Sequence, residues 1–119
     1  MTLEERVQRL EDQDNIAKLQ ARYNDLNDGG WKGPTHQYPE AVAKLFVEDG
    51  IWEGPPGTGI ARGHQEIIAL FKEFAAIPFI IHCIMNPLIE VNGDEARGEW
   101  HAIIPTTMPG EQGLSLIHI

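Results

Sequence analysis

The chain has 119 residues, 42% hydrophobic and 23% charged, so it is one domain with a buried core rather than a disordered or fibrous chain. Its 9 Lys+Arg against 18 Asp+Glu give a formal charge of -9, which repels phosphate backbones and anionic lipid, and neither nucleic acid nor a membrane surface is expected as a partner. Cys83 is the single cysteine, which rules out an intramolecular disulfide and fits a reducing compartment.

The N-terminus, MTLEERVQRLEDQD, is charged from its third residue and lacks the apolar core of a signal peptide. No apolar run approaches the ~20 residues that span a bilayer, and the expected location is cytoplasmic. From Thr2 to about Asn27, the apolar residues Leu3, Val7, Leu10, Ile16, Leu19, Tyr23 and Leu26 recur with a helical period and one phase slip at EDQDN. Two consecutive helices, the second starting at Asp14, and one bent helix fit equally well. Thr2 with Glu5 forms a capping box. Gly29 and Gly30 end the pattern, because paired glycines supply the left-handed conformations that stop a helix.

WKGPTHQYPE is a loop by its Gly and Pro content, and PEAVAKLF a short amphipathic helix with Pro39 in its first turn and Val42, Leu45 and Phe46 facing inward. IWEGPPGTGIARG gives a strand, a turn and a strand, since two prolines forbid helix. GHQEIIALFKEFAAI is a third helix with Ile67, Ile68, Leu70, Phe71 and Phe74 on its buried side. Pro78 opens the best strand, FIIHCIMNPLIEV, where Asn86-Pro87 predicts a bulge or an edge position. Asn92-Gly93-Asp94 is a hairpin turn leading into EARGEWHAIIPTTM, and GLSLIHI starts a further strand.

Helices followed by long antiparallel strands make an α+β cone, its sheet curled around a pocket. In this order the words IAKLQARYNDLNDGGW, LFVEDGIWEG, ARGHQEI and HCIMNPLIEVNGDEARGEW resemble the SnoaL-like branch of the nuclear-transport-factor-two-like superfamily, from Leu3 to Met108. The chain is most similar to the subgroup of scytalone dehydratase, bile-acid dehydratase and hexachlorocyclohexane dehydrochlorinase. The resemblance implies a cone-shaped α+β barrel of residues 1–119 whose relatives usually continue for another strand or two. It implies a cofactor-independent lyase or isomerase with His82 as base, Asp28 as the group that orients and charges it, and Tyr23 as hydrogen-bond donor or acid. Relatives of this fold are commonly dimers or trimers, and an open edge bearing Leu114, Leu116, Ile117 and Ile119 predicts edge pairing or strand exchange between copies.

A carboxylate on one ring nitrogen of His82 would fix its tautomer and present the other nitrogen. Tyr23 lies five residues before Asp28, about 140° around an ideal helix, so the two share a pocket only if the helix ends at Asn27 or Asp28. Strand parity groups Ile80, His82, Ile84 and Asn86, while Ala96, Gly98, Trp100, Ala102 and Ile104 share a face of the partner strand. With Trp52, Phe74 and Phe79, the residues Ile84, Asn86, Trp100 and Ile104 are expected to wall a pocket for a small apolar or polycyclic molecule.

His64 reads as a capping or surface residue, His36 as a loop residue, and His101 as facing away from the pocket. No pair has metal-ligand spacing, and neither metal nor cofactor is expected. Each catalytic residue has a plain structural role as well: His82 as a satisfied core residue, Asp28 as a turn residue, Tyr23 as core. Two other functions stay open, a non-catalytic binding or association domain and an epoxide-hydrolase-like or polyketide-cyclase-like enzyme. The epoxide-hydrolase reading needs an Asp-Arg-Asp set, for which Arg22, Arg62 and Arg97 have no evident place.

Overall fold

The structure, a computed structural model, describes residues 1–29, 33–110 and 115–118, the last four by their backbone. The sequence-based expectations for Gly30, Trp31, Leu114 and Ile119, and for the side chains of Leu116 and Ile117, lie outside the described residues. Helix α1, Leu3–Asn27, is one continuous helix of 25 residues. Thr2 caps its start, with Oγ1 accepting from the Glu5 N–H at 3.1 Å. The polar stretch that looked like a phase slip is carried by pairs one turn apart, Gln8 to Asp12 at 2.9 Å and Lys18 to Asp14 at 2.8 Å. The apolar stripe is only partly used: Leu26 is buried, whereas Leu3, Val7, Leu10 and Leu19 are exposed.

Helix α2, Pro39–Ala43, is followed by the hairpin of β1, Ile51–Glu53, and β2, Ile60–Arg62, and then by α3, Gly63–Phe74. Val42, Ala43, Ala61, Ile67 and Phe71 form the core with Leu26, because α2, α3 and β2 each turn their apolar side toward the end of α1. His64 does not cap α3. Its Nε2–H donates to the Phe46 carbonyl at 2.7 Å, pinning the start of α3 to the segment that leaves α2.

Strands β3, Phe79–Ile80, and β4, Cys83–Asn92, pair antiparallel with β5, Glu95–Thr107. The expected single strand is therefore interrupted at Ile81 and His82, although Phe79↔Thr107, Ile80↔Thr106 and Cys83↔Ile103 keep one register across the gap. The cause is Pro105. The Ile81 N–H donates to the Pro105 carbonyl at 3.1 Å, but proline has no N–H to return, so the exchanged pair of bonds cannot form. The register shift between Met85 and Leu88, with Asn86 at φ 54°, is the bulge expected at Asn86-Pro87. Strand β6, Ser115–His118, pairs with the other edge of β5. Among the described residues no helix is long and apolar enough to cross a membrane.

Candidate functional site

The end of α1 sits against the gap in the sheet. In an antiparallel pair, alternate residues turn their N–H and C=O away from the partner, so Ile80 and His82 present theirs on the side opposite β5. The Gly29 N–H donates to the Ile80 carbonyl at 2.9 Å, and the His82 N–H donates to Asp28 Oδ1 at 2.9 Å. Asp28 is the C-cap of α1, with an extended backbone (φ -69°, ψ 146°) that aims its carboxylate at the strand. Gly29 is outside the left-handed region, contrary to the expectation from the glycine pair. What it supplies is room, since a Cβ there would lie 2.5 Å from Thr35 Cγ2.

The same Asp28 Oδ1 lies 2.7 Å from His82 Nδ1, and both side chains are 16% exposed. A carboxylate only accepts, so Nδ1 carries the hydrogen and Nε2 of the neutral ring is a bare acceptor. His82 lines a cavity of about 170 Å³. The sheet contributes Ile80, Ile104 and Thr106 to it, on the face His82 occupies, while Tyr23 comes from α1, Phe71 and Phe74 from α3, and Trp52 from β1. Pro55, Thr58 and Met108 are exposed and form its rim.

Tyr23 also reaches the cavity, but its oxygen lies against Trp52 rather than the Asp28–His82 pair. Trp52 Nε1–H donates to Tyr23 Oη at 2.7 Å. Indole can only donate, so the phenol keeps its own hydrogen for a ligand. Burial pushes the phenol up to about 12, outweighing the opposing effect of the Trp52 hydrogen bond, and Tyr23 is a neutral donor at ordinary pH.

Of the expected walls, Trp52, Phe74 and Ile104 line the cavity, while Phe79, Ile84, Asn86 and Trp100 do not. Phe79 pairs with Thr107 and is one residue out of phase with Ile80 and His82. Ile84 keeps the parity of His82 but lies farther along the strand, and the shift after Met85 breaks the phase beyond it. Asn86 and Trp100 border a separate depression with Pro87, Leu88, Glu99 and His101.

His36, expected only as a loop residue, is buried and lines the cavity. It arrives there because the loop after α1 returns to cap the helix: the His36 N–H donates to the Asn27 carbonyl at 3.2 Å, satisfying an acceptor left open at a helix end. Burial is the main cause that lowers His36 to about 4, the neighbouring His82 adds to it, and the Asp28 carboxylate opposes it. His36 is thus an uncharged imidazole. Among the described residues no group of three or more His, Cys, Asp or Glu is placed to hold a metal ion.

The family model of the SnoaL-like domain matches residues 8–118. The chain belongs to that family. The family includes polyketide cyclases and dehydratases. No curated protein matches the sequence. Among solved structures, an NTF2-like protein with a cystatin-like fold from Novosphingobium aromaticivorans is 28% identical, with a TM-score of 0.70 over 98% of this chain and 70% of its own. A candidate scytalone dehydratase from the same organism superposes with a TM-score of 0.76 at 18% identity, covering 92% of this chain and 70% of its own. ActVI-ORFA from Streptomyces coelicolor gives 0.65 at 15% identity, over 91% and 77%. The last two share the fold. Together these relatives establish the α+β architecture of the SnoaL-like, NTF2-like class.

Proposed function

We propose that this SnoaL-like domain is a cofactor-independent lyase or isomerase of dehydratase type, which removes a proton from a small apolar substrate. The observation that carries the reading is the 2.7 Å contact of His82 Nδ1 with Asp28 Oδ1, on a histidine that lines an apolar cavity. In this scheme His82 Nε2 takes a proton from a carbon next to a carbonyl or a leaving group. The Asp28 carboxylate stabilises the imidazolium that results, and its second bond, to the His82 backbone, keeps the ring from turning away. The Tyr23 hydroxyl donates to the oxygen on which charge develops. The proton held on Nε2 can then return to another carbon, giving isomerisation, or pass to a departing hydroxyl, giving elimination of water.

The cavity matches the ~150 Å³ that suffices for a benzene ring, so one ring fits inside and a polycyclic substrate would extend past the rim. Arg22, Arg62 and Arg97 are exposed and none lines the cavity, which leaves the epoxide-hydrolase alternative without its arginine. Deuterium exchange into small cyclic ketones, followed by NMR, tests the reading. His82→Ala and Asp28→Asn are each expected to slow exchange about 10²–10⁴-fold, the usual contribution of a positioned base, and full activity in either variant would refute it. A binding-only role would leave the wild type as inert as the variants while ligands still shift the His82 resonances.

A further inference from the structure

The hydrogen-bond chain at His36 defines a further polar group in this cavity. The Ile77 carbonyl can only accept, and Thr35 Oγ1 lies 3.1 Å from it, so the single hydroxyl hydrogen of Thr35 is committed there. His36 Nδ1 lies 2.9 Å from the same Oγ1 and must therefore be the donor. Nε2 is left as a lone-pair acceptor with no partner among the described residues. The ring cannot easily turn. It packs at 5.8 Å and 68° against Phe71 and at 5.4 Å and 59° against Phe74, on a backbone held at φ 53°. A histidine in the left-handed region is uncommon and persists only where its surroundings over-determine it.

We propose that His36 is a specificity-determining residue whose Nε2 accepts a hydrogen bond from a hydroxyl group carried by an apolar ring in the cavity. This deepens the reading above and rests on it in taking the cavity as the substrate's site. A ligand that covers this acceptor without donating to it pays for its desolvation, which is how a polar group in an apolar wall rejects a hydrocarbon. Tyr23 supplies the complementary donor. The favoured ligand is therefore a ring with a hydroxyl toward His36 and an acceptor oxygen toward Tyr23.

The test uses p-cresol and p-xylene, which differ by a hydroxyl in place of a methyl, and needs no turnover. Affinities come from NMR titration of the wild type and of His36→Phe. The ratio of p-cresol to p-xylene affinity is expected to fall about 3–10-fold in the variant, the worth of one net hydrogen bond. In the wild type the ¹⁵Nε2 resonance of His36 should start as an unprotonated acceptor and shift on adding p-cresol but not p-xylene. An unchanged ratio in a folded variant, or a protonated Nε2 in the free protein, overturns the proposal. If His36→Phe does not fold, the wild-type ¹⁵N result decides alone. Loss of the His82 reading in the exchange assay would leave the p-cresol preference in place, so the two failures are distinguishable.

Discussion

Acidification should destabilise this protein through His36 in a way that one substitution can isolate. The imidazole sits at about 4 in the folded chain, against an ordinary 6.5 once unfolding exposes it. A histidine lowered by folding binds its proton more readily in the unfolded chain, so its contribution is complete above pH 6.5 and is lost as pH falls toward the folded value. At pH 5 the unfolded chain is almost fully protonated at this site and the folded chain hardly at all, which costs about 2 kcal/mol relative to pH 7.5. Near pH 4 the loss approaches its limit of about 3 kcal/mol. The comparison is with His36→Asn, because asparagine tolerates the left-handed backbone and does not titrate. Asp28 and His82, the titratable groups that act on His36, remain in both proteins. Urea unfolding at pH 7.5, 6.5, 5.5 and 5 should show the wild type losing about 2 kcal/mol more than the variant across that range, whatever constant offset separates them. Curves parallel within about 0.5 kcal/mol would refute the burial argument for His36.

Tyr23→Phe removes the acceptor of the Trp52 N–H, and leaving that donor unpaired should cost about 1–3 kcal/mol in urea unfolding and move the Trp52 indole proton resonance. An unmoved resonance would count against the bond. Gly29→Ala would place a Cβ 2.5 Å from Thr35 Cγ2 and 3.0 Å from the Thr35 nitrogen, so a loss of about 1–3 kcal/mol is expected, and a melting temperature equal to the wild type would show the loop to be adaptable. Phe71→Ala empties the centre of the aromatic cluster formed with Tyr23, Trp52 and Phe74, and calorimetry should record a loss of about 3–5 kcal/mol.

Elements set by local chemistry were legible in the sequence. The period of Ile67, Phe71 and Phe74, the prolines between β1 and β2, and Asn92-Gly93 each act within a few residues, and the expected elements are found there. Continuity across EDQDN was ambiguous because a polar segment reads as a break, whereas in α1 it is an exposed stretch supported by side-chain pairs. Asn86 was misplaced for a related reason, since the bulge at Asn86-Pro87 breaks the parity of β4, whereas Trp100 keeps the parity of Ile104 on β5 and lies too far along the strand to reach the cavity. Asp28 and His82 were paired through family likeness, since no local pattern links residues so far apart. His36 had no signal at all. Its loop is held by Asn27 and Ile77 and its ring packs on Phe71 and Phe74, and only the folded chain brings these together.

His82 is anchored to two bodies at once. The strand holds the residue through its chain, while the helix end holds its backbone nitrogen and its ring through a single carboxylate oxygen. A displacement of the α1 terminus would carry the base with it, so the separation that sets the tautomer is insulated from breathing of the sheet. Motion of the helix would instead change the distance from the imidazole to the part of the wall that α3 carries, Phe71 and Phe74. Substrate fit, and not the integrity of the Asp28–His82 contact, is the quantity such motion would tune.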